Sequence, residues 1–378
     1  MPKPSLTKPD EIKTVEDIAT LLVNGESDWG QYGNILVRRG GDNGNLRIFN
    51  YGKEAFTGKG YTQAEVLCRG LIIDANTGEI VARAFDKFFN YGERGINISP
   101  SGKIKNVYEK IDGNLGVLYR DNGKYKISTR GRMDTDTALW ATEFLNKHYD
   151  LTGLENELTL IFEIISPYSK VIVDYEGLED LVLLAARNRY NGEYVDITKL
   201  MELADRYGFS LPDTYSLNSI DDIIAMSDGL DNNAEGYVVE YEDGSRWKVK
   251  GKEYRHLAHL VITLSFRNTV RAIQDDILER YISLVPERFM VFVRRWIQEI
   301  EDYKENTLKR IQEILATVPK DILADNKKFA LWVNEQKYKK NSIEAKYIFY
   351  VKDGIDITPS LLKDAYQMDN QFIDLTDE

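Results

Sequence analysis

Several charged residues of this 378-residue chain stand where side chains could act on an anion. Lys110 opens Lys110-Ile111-Asp112-Gly113, and Lys248 and Lys250 lie two residues apart in a later segment. Strand alternation puts that later pair on one face. Two like charges side by side are costly unless an anion lies between them or the face is open to water. Glu163 interrupts the apolar run Leu160-Ile161-Phe162-Glu163-Ile164-Ile165, where a buried carboxylate needs a partner. Arg69-Gly70, Lys87-Phe88-Phe89-Asn90, Thr129-Arg130-Gly131 and Glu235-Gly236 complete the set. Singly, each reads as an ion pair or surface charge, the Lys110 motif as a strand end with an Asp-Gly turn, and Lys-x-Lys as a solvated face.

The first two thirds of the chain supply strands and tight turns to hold these residues. Apolar runs flank Ala75-Asn76-Thr77-Gly78, Asp121-Asn122-Gly123 and Glu242-Asp243-Gly244, which predicts three hairpins. Leu158–Ile165 and Leu181–Ala186 read as buried strands, and Thr135–Tyr149 and Ile197–Tyr207 as helices. Hairpins outnumber strand–helix–strand units, so the expected class is α+β, antiparallel sheets flanked by helices. After Tyr254 the texture changes. Phe289, Val293, Trp296, Ile300, Ile311 and Leu315 recur at helical spacing up to Pro319, predicting one long amphipathic helix or two abutting ones. Thr358-Pro359 reads as an N-cap followed by proline at the first helical position. The expected division is residues 1–254, of which 1–66 vary most, and an all-helical domain over residues 255–378. The last residues, Asp374–Glu378, read as a frayed acidic end.

Composition narrows the classes. Hydrophobic residues at 43% and charged residues at 29% are globular values, which excludes a disordered or fibrous chain. No apolar run approaches 18 residues, so no membrane span is expected; the polar start shows no secretory signal. Cys68, the only cysteine, allows no internal disulfide, which fits a reducing cytoplasm. The net charge of −12 argues against nucleic acid at first sight. From Arg255 onward, however, 19 Lys and Arg face 20 Asp and Glu, so nearly all of the excess lies earlier and local grooves remain open to either sign.

In order along the chain, Lys110–Gly113, Glu163, Glu235-Gly236 and Lys248/Lys250 resemble the motifs of covalent nucleotidyltransferases, the polynucleotide ligases and messenger-RNA capping enzymes. Cys68-Arg69-Gly70, Asp86-Lys87-Phe88-Phe89-Asn90, Phe162-Glu163-Ile164-Ile165-Ser166-Pro167, Asn191-Gly192-Glu193-Tyr194 and Tyr254 narrow the resemblance to the phage RNA ligase 1 family. It covers roughly Leu67 to Tyr254, with a helical domain following as in that family. The match before Leu67 is loose, and Leu183–Arg189 offers no aromatic to stack adenine. The basic C-terminal motif of DNA ligases and capping enzymes is not evident, which agrees with RNA ligase 1.

The resemblance implies a nucleotidyltransferase domain and an ATP-dependent ligase of single-stranded RNA ends. AMP passes from ATP to a lysine, then to an RNA 5′-phosphate, and is displaced by a 3′-OH. It names Lys110 as nucleophile. Such a lysine, with an ordinary pKa of about 10.4, must be deprotonated to attack, and Lys248 and Lys250 are expected to lower its pKa and to offset charge on the α-phosphate. Arg69 and Lys87 would hold the β- and γ-phosphates, Glu163 a ribose hydroxyl, and Glu235 would sit near Lys110 or a metal ion. Asp112, Arg130 and Tyr254 fall at nucleotide-site positions, and Gly113 and Gly236 would let backbone approach the nucleotide. Mg²⁺, with Mn²⁺ as substitute, is the implied metal. RNA ends, among them cleaved transfer RNA, are the implied partner, and a cytoplasmic monomer (host cytoplasm if phage-encoded) is expected. The competing readings are an adenylyltransferase acting mainly on DNA ends and a catalytically dead RNA-binding module.

Other clusters read as structure. His256 and His259 lack the Glu and third ligand of a zinc site. Asp228–Asn233 misses the order of a calcium loop and reads as a turn. Arg294-Arg295 and Lys337, Lys339 and Lys340 read as solvated helix faces.

Overall fold

A computed structural model describes residues 12–23, 32–52, 61–93, 99–169, 172–231, 233–283, 285, 289–335 and 342–368; for 259–263 and 368 it describes the backbone alone. Contacts divide the chain into two compact units, Met1–Leu257 and Ala258–Asp377.

The first unit holds thirteen strands among the described residues. They are β1 (Ile35–Gly40), β2 (Leu46–Tyr51), β3 (Leu71–Asp74), β4 (Ile80–Ala82), β5 (Phe89–Asn90), β6 (Ile104–Glu109), β7 (Asn114–Asp121), β8 (Lys124–Ser128), β9 (Leu158–Ile165), β10 (Asp180–Asn188), β11 (Thr214–Tyr215), β12 (Gly236–Tyr241) and β13 (Arg246–Lys250). They form three sheets, with orders β1-β2-β3-β4, β10-β9-β7-β8 and β11-β6-β12-β13-β5. The expected hairpins form. At β7–β8, Asn122 and Gly123 both take positive φ, +48° and +79°, as a two-residue turn matched to strand twist requires. Pairing is antiparallel except between β13 and the short β5, which run parallel.

The residues before Leu67 are built into this framework: β2 pairs with β3, Ile48 opposite Ile72. Phe49, Leu71 and Ile73 are fully buried in one core with the helix Val15–Val23. The second sheet packs Phe162, Leu181 and Leu183 against the helices Asp136–His148 and Ile197–Tyr207. Each fully buried side chain of this size contributes about 1.5–3 kcal/mol, which fixes the strands on which the site depends.

The second unit is helical. Met290–Ala316 is a single 27-residue helix, burying Val293, Trp296, Ile300 and Ile311 on one stripe. Ile311 shares a core with Phe329, Tyr347, Ile348 and Leu361 from later helices. The helix Thr358–Met368 starts one residue earlier than the sequence suggests. The Leu361 amide bonds the Ile357 carbonyl, and Asp356 accepts from the Thr358 amide, so Thr358 is already helical. No helix among the described residues is long and apolar enough to cross a membrane.

Candidate active site

Strand register assembles the site. Lys110 follows the last residue of β6, Glu235 precedes the first of β12, and Lys250 ends β13. Because β12 lies between the other two, with Tyr237 opposite Glu109 and Gly236 opposite Lys250, all three residues fall at one sheet end. The Lys110 amide donates to the Gly236 carbonyl at 2.9 Å, and the Gly251 amide to the Glu235 carbonyl at 2.9 Å. Lys110–Gly113 is the crossing from this sheet to β7, whose neighbour β9 carries Glu163 opposite Leu115.

Glu235 sits between two ammonium groups. Lys110 Nζ donates to its Oε2 at 2.6 Å and Lys250 Nζ pairs with its Oε1 at 2.9 Å. Burial would raise the Glu235 pKa, but the two lysines win and hold it below the usual carboxylate value. The same pair decides Lys110. Burial disfavours its charged form, yet Glu235 and Glu163 outweigh burial and raise its pKa above the ordinary lysine value. This corrects the expectation that Lys248 and Lys250 would depress it. Lys248 is depressed instead, as is Lys87. Half-buried, and facing Lys110, Arg69, Lys87 and Lys250, Lys248 is pushed well below the ordinary range by desolvation and by these cations. Its Nζ lies 4.7 Å from the centroid of the Phe88 ring.

The remaining cations converge there. Lys87 is lowered to about 8 by burial, with Arg69, Arg130 and Lys250 adding to it and Glu93 opposing. Its Nζ donates to the Phe88 carbonyl at 3.1 Å and lies over the Phe89 ring at 4.4 Å. Arg69 has a buried Nη1 with no hydrogen-bond partner among the described residues. Arg130 stands over the Tyr51 ring at 5.5 Å. Glu163 is raised to about 8, by burial first, then Glu235 and Asp112, against Lys110 and Arg69. Burial thus favours its neutral form, which can donate as well as accept.

The Asp112 and Tyr254 side chains are bonded to one another, and Asp112 also to the protein backbone. The Asp112 carboxylate is buried and accepts from the Ile172 and Val173 amides at 2.6 and 3.0 Å and from the Tyr254 hydroxyl at 2.9 Å. Both residues thus brace the Lys110 loop from behind. The glycines also have a reason of their own. A Cβ on Gly236, at φ +138°, would fall on the Val249 carbonyl and 2.8 Å from Lys250 Cα; one on Gly113 would meet the Ile164 carbonyl at 2.6 Å. Close approach of neighbouring strands already demands glycine at both positions.

Among the described residues, no three carboxylate, imidazole or thiol groups cluster to hold a metal ion. Glu235, the expected metal residue, has both oxygens on lysines. His256 is exposed, and the side chain of His259 lies outside the described residues. Asn232 also lies outside them, while Asp231 caps the Asn233 amide at 2.8 Å, as a turn does. Arg295 pairs with Glu299 at 3.5 Å on an exposed helix face. Lys337, Lys339, Lys340 and Asp374–Glu378 lie outside the described residues. Sequence reasoning missed Phe88 as the surface under Lys248, and Tyr175, whose hydroxyl accepts from the Asp112 amide at 2.8 Å. Phe88 lies within the Asp86–Asn90 motif, whereas no spacing marks Tyr175.

What the arrangement offers is a half-buried nucleophile candidate beside a cation-rich surface able to take a polyanion. Residues 67–255 match the family model described as RNA ligase. A protein of Autographa californica nuclear polyhedrosis virus, named as a bifunctional polynucleotide kinase/RNA ligase, is 29% identical over 238 residues, which is 56% of this chain and 33% of that one. One from Thermovibrio ammonificans, named as an RNA ligase, is 30% identical over 52% of this chain and 53% of its own. RNA ligase 1 of bacteriophage TS2126 is 26% identical over 43% of each. The chain thus spans a third to about half the length of these relatives. With the model matching half of its length, this chain belongs to the phage-type RNA ligase family.

Proposed function

We propose that the chain is an ATP-dependent RNA ligase joining the 5′-phosphate and 3′-hydroxyl ends of single-stranded RNA. The observation that carries this reading is Lys110, embedded with Lys248, Lys250, Lys87 and Arg69 in a site with more basic than acidic side chains. Such an excess suits a triphosphate.

The Lys110 amine, once deprotonated, attacks the α-phosphorus; the N–P bond forms as the bond to pyrophosphate breaks, and the amine loses its second proton. An RNA 5′-phosphate oxygen then attacks the same phosphorus, and the N–P bond breaks with Lys110 taking a proton. Finally the 3′-hydroxyl attacks the RNA 5′-phosphorus and AMP leaves. For the first step Lys110 must leave the Glu235 carboxylate. Lys250, already on the other oxygen, keeps Glu235 compensated when that happens. Arg69 and Lys87 hold the leaving pyrophosphate in line, Lys248 balances the α-phosphate, Arg130 adds charge nearby, and Glu163 meets the ribose. A divalent cation belongs to the substrate here. It enters with the nucleotide, Mg²⁺ being our proposal and Mn²⁺ its substitute, since Mg²⁺ is commonly held by substrate phosphates. Residues 1–254 carry this chemistry, and the helical residues 255–378 serve RNA choice. Cleaved transfer RNA as substrate, and a monomer working in the cytoplasm, follow from the family resemblance alone.

Intact mass after incubation with ATP and Mg²⁺, beside Lys110→Ala, tests the reading. One AMP gained by the parent chain alone is expected. Failure of the parent to gain it, once pyrophosphate has removed any AMP carried through purification, would overturn the reading, as would an adduct on Lys110→Ala. Competition between RNA and DNA 5′-phosphates after adenylation then decides the polynucleotide.

A further inference from the structure

Residues Ile172–Glu176 form neither strand nor helix, yet they are bonded to both sides of the site. On one side, the Asp112 carboxylate holds the Ile172 and Val173 amides, and the Asp112 amide donates to the Tyr175 hydroxyl at 2.8 Å. On the other, the Asp174 amide donates to Asn233 Oδ1 at 2.6 Å, and Asn233 Nδ2 reaches the Asp174 carbonyl at 3.4 Å. Asp112 stands two residues after Lys110, and Asn233 two before Glu235. The segment therefore spans the two loops whose ends meet in the 2.6 Å contact of Lys110 with Glu235. Ile172 and Val173 are buried and anchor it, whereas Asp174 and Glu176 are exposed, so hydrogen bonds rather than packing register its outer half.

We propose that this strap is a positioning element for the nucleophile, with Tyr175 and Asn233 as its two working ends. It sets the Lys110 amine for attack on the nucleotide. The proposal rests on reading Lys110 as the nucleophile and adds a step-specific consequence. Sealing of an RNA that already carries AMP does not use the Lys110 amine, so that step does not depend on the strap. Misplacement of a reacting atom by about 1 Å can cost on the order of a hundredfold in rate, and a side chain that merely stabilises the fold would not confine its effect to one step.

The test compares the full-length parent chain with Tyr175→Phe, which removes only the hydroxyl, with Asn233→Ala, and with the double variant. Four quantities are read: the rate of lysyl-AMP formation, the KM for ATP, the rate of sealing pre-adenylated single-stranded RNA, and the melting midpoint. Each single variant should slow lysyl-AMP formation about tenfold, leaving KM and sealing within about twofold. If the strap acts as one unit, the double variant loses less than the product of the single losses. Undiminished adenylation in both singles overturns the proposal, and so does an equal fall in adenylation and sealing. Should Asn233→Ala fail to fold, Tyr175→Phe decides by the same criteria. A parent chain that forms no adduct overturns the underlying reading, whereas a parent adduct with unimpaired variants overturns the strap alone.

Discussion

Replacing Glu235 by Gln keeps the shape of the side chain and removes the charge that two lysines share. Glu235 is 3% exposed, while Lys110 and Lys250 are 16% and 25% exposed. Breaking a buried ion pair from one side costs about 3–5 kcal/mol, because the surviving charge is left uncompensated. Both ammonium groups here keep some access to water, and Lys110 can shed its proton, so the lower figure of about 3 kcal/mol applies at pH 7. For a unit of this size each kcal/mol moves the melting midpoint by about 2–4 °C, so Glu235→Gln should melt about 6–12 °C below the parent. The pH dependence fixes the cause. The Glu235 carboxylate is held below its unfolded value, so its contribution is present above about pH 4.3 and disappears as pH falls through the folded value. The gap between the two proteins should therefore close on the acid side. Lys110 is raised, so its contribution is present below about pH 10.4 and is lost as pH climbs through the folded value; the variant should lack that alkaline loss. Calorimetric melts of both proteins across the pH range read all three features. Equal midpoints at pH 7, or a gap that persists unchanged in acid, would refute the electrostatic account of this site.

Two further outcomes follow from the other shifted groups. Glu163 is pushed up to about 8, so the parent chain should lose stability as pH rises from the ordinary carboxyl range toward 8. Glu163→Gln, neutral throughout, should lack that loss, by about 2–4 kcal/mol in denaturant titrations at pH 8 relative to pH 5. Lys87, lowered to about 8, and Lys248, also lowered, should take up protons when pyrophosphate arrives. Calorimetry at pH 8.5 in two buffers of different ionisation enthalpy should show net proton uptake by the parent chain and less by Lys87→Met.

Much of the scaffold was legible because it is written locally. The hairpin turns declared themselves through Asn122-Gly123 and Asp243-Gly244, whose backbone freedom few other residues share. Leu158–Ile165 and Ile197–Tyr207 were readable at both ends from continuous apolar or helical spacing. The parallel pairing of β5 with β13 was not readable, since a two-residue strand carries no pattern. The inclusion of residues before Leu67 in the first sheet was likewise hidden, because it depends on which distant strand offers the matching edge. The helix start at Thr358 slipped by one residue because Asp356, not Thr358, bonds the free amide.

The division is sharper at the site. By itself the sequence determined the chemical inventory: a lysine before Asp-Gly, a carboxylate in an apolar strand, an alternating lysine pair, and the order that links them to RNA ligases. The charge states were decided only by tertiary structure. Lys110, Lys248 and Lys250 are the same residue type, and nothing local separates one held charged against Glu235 from one set among other cations. That distinction depends on distances of a few ångströms between strands far apart in sequence, where Coulomb energies change steeply and burial removes the water that would even them out. The strap over Lys110 and Glu235 belongs to the same category. Its hydrogen bonds join Asp112 to Tyr175 and Asp174 to Asn233, pairs about sixty positions apart in sequence, and only the folded chain brings them together.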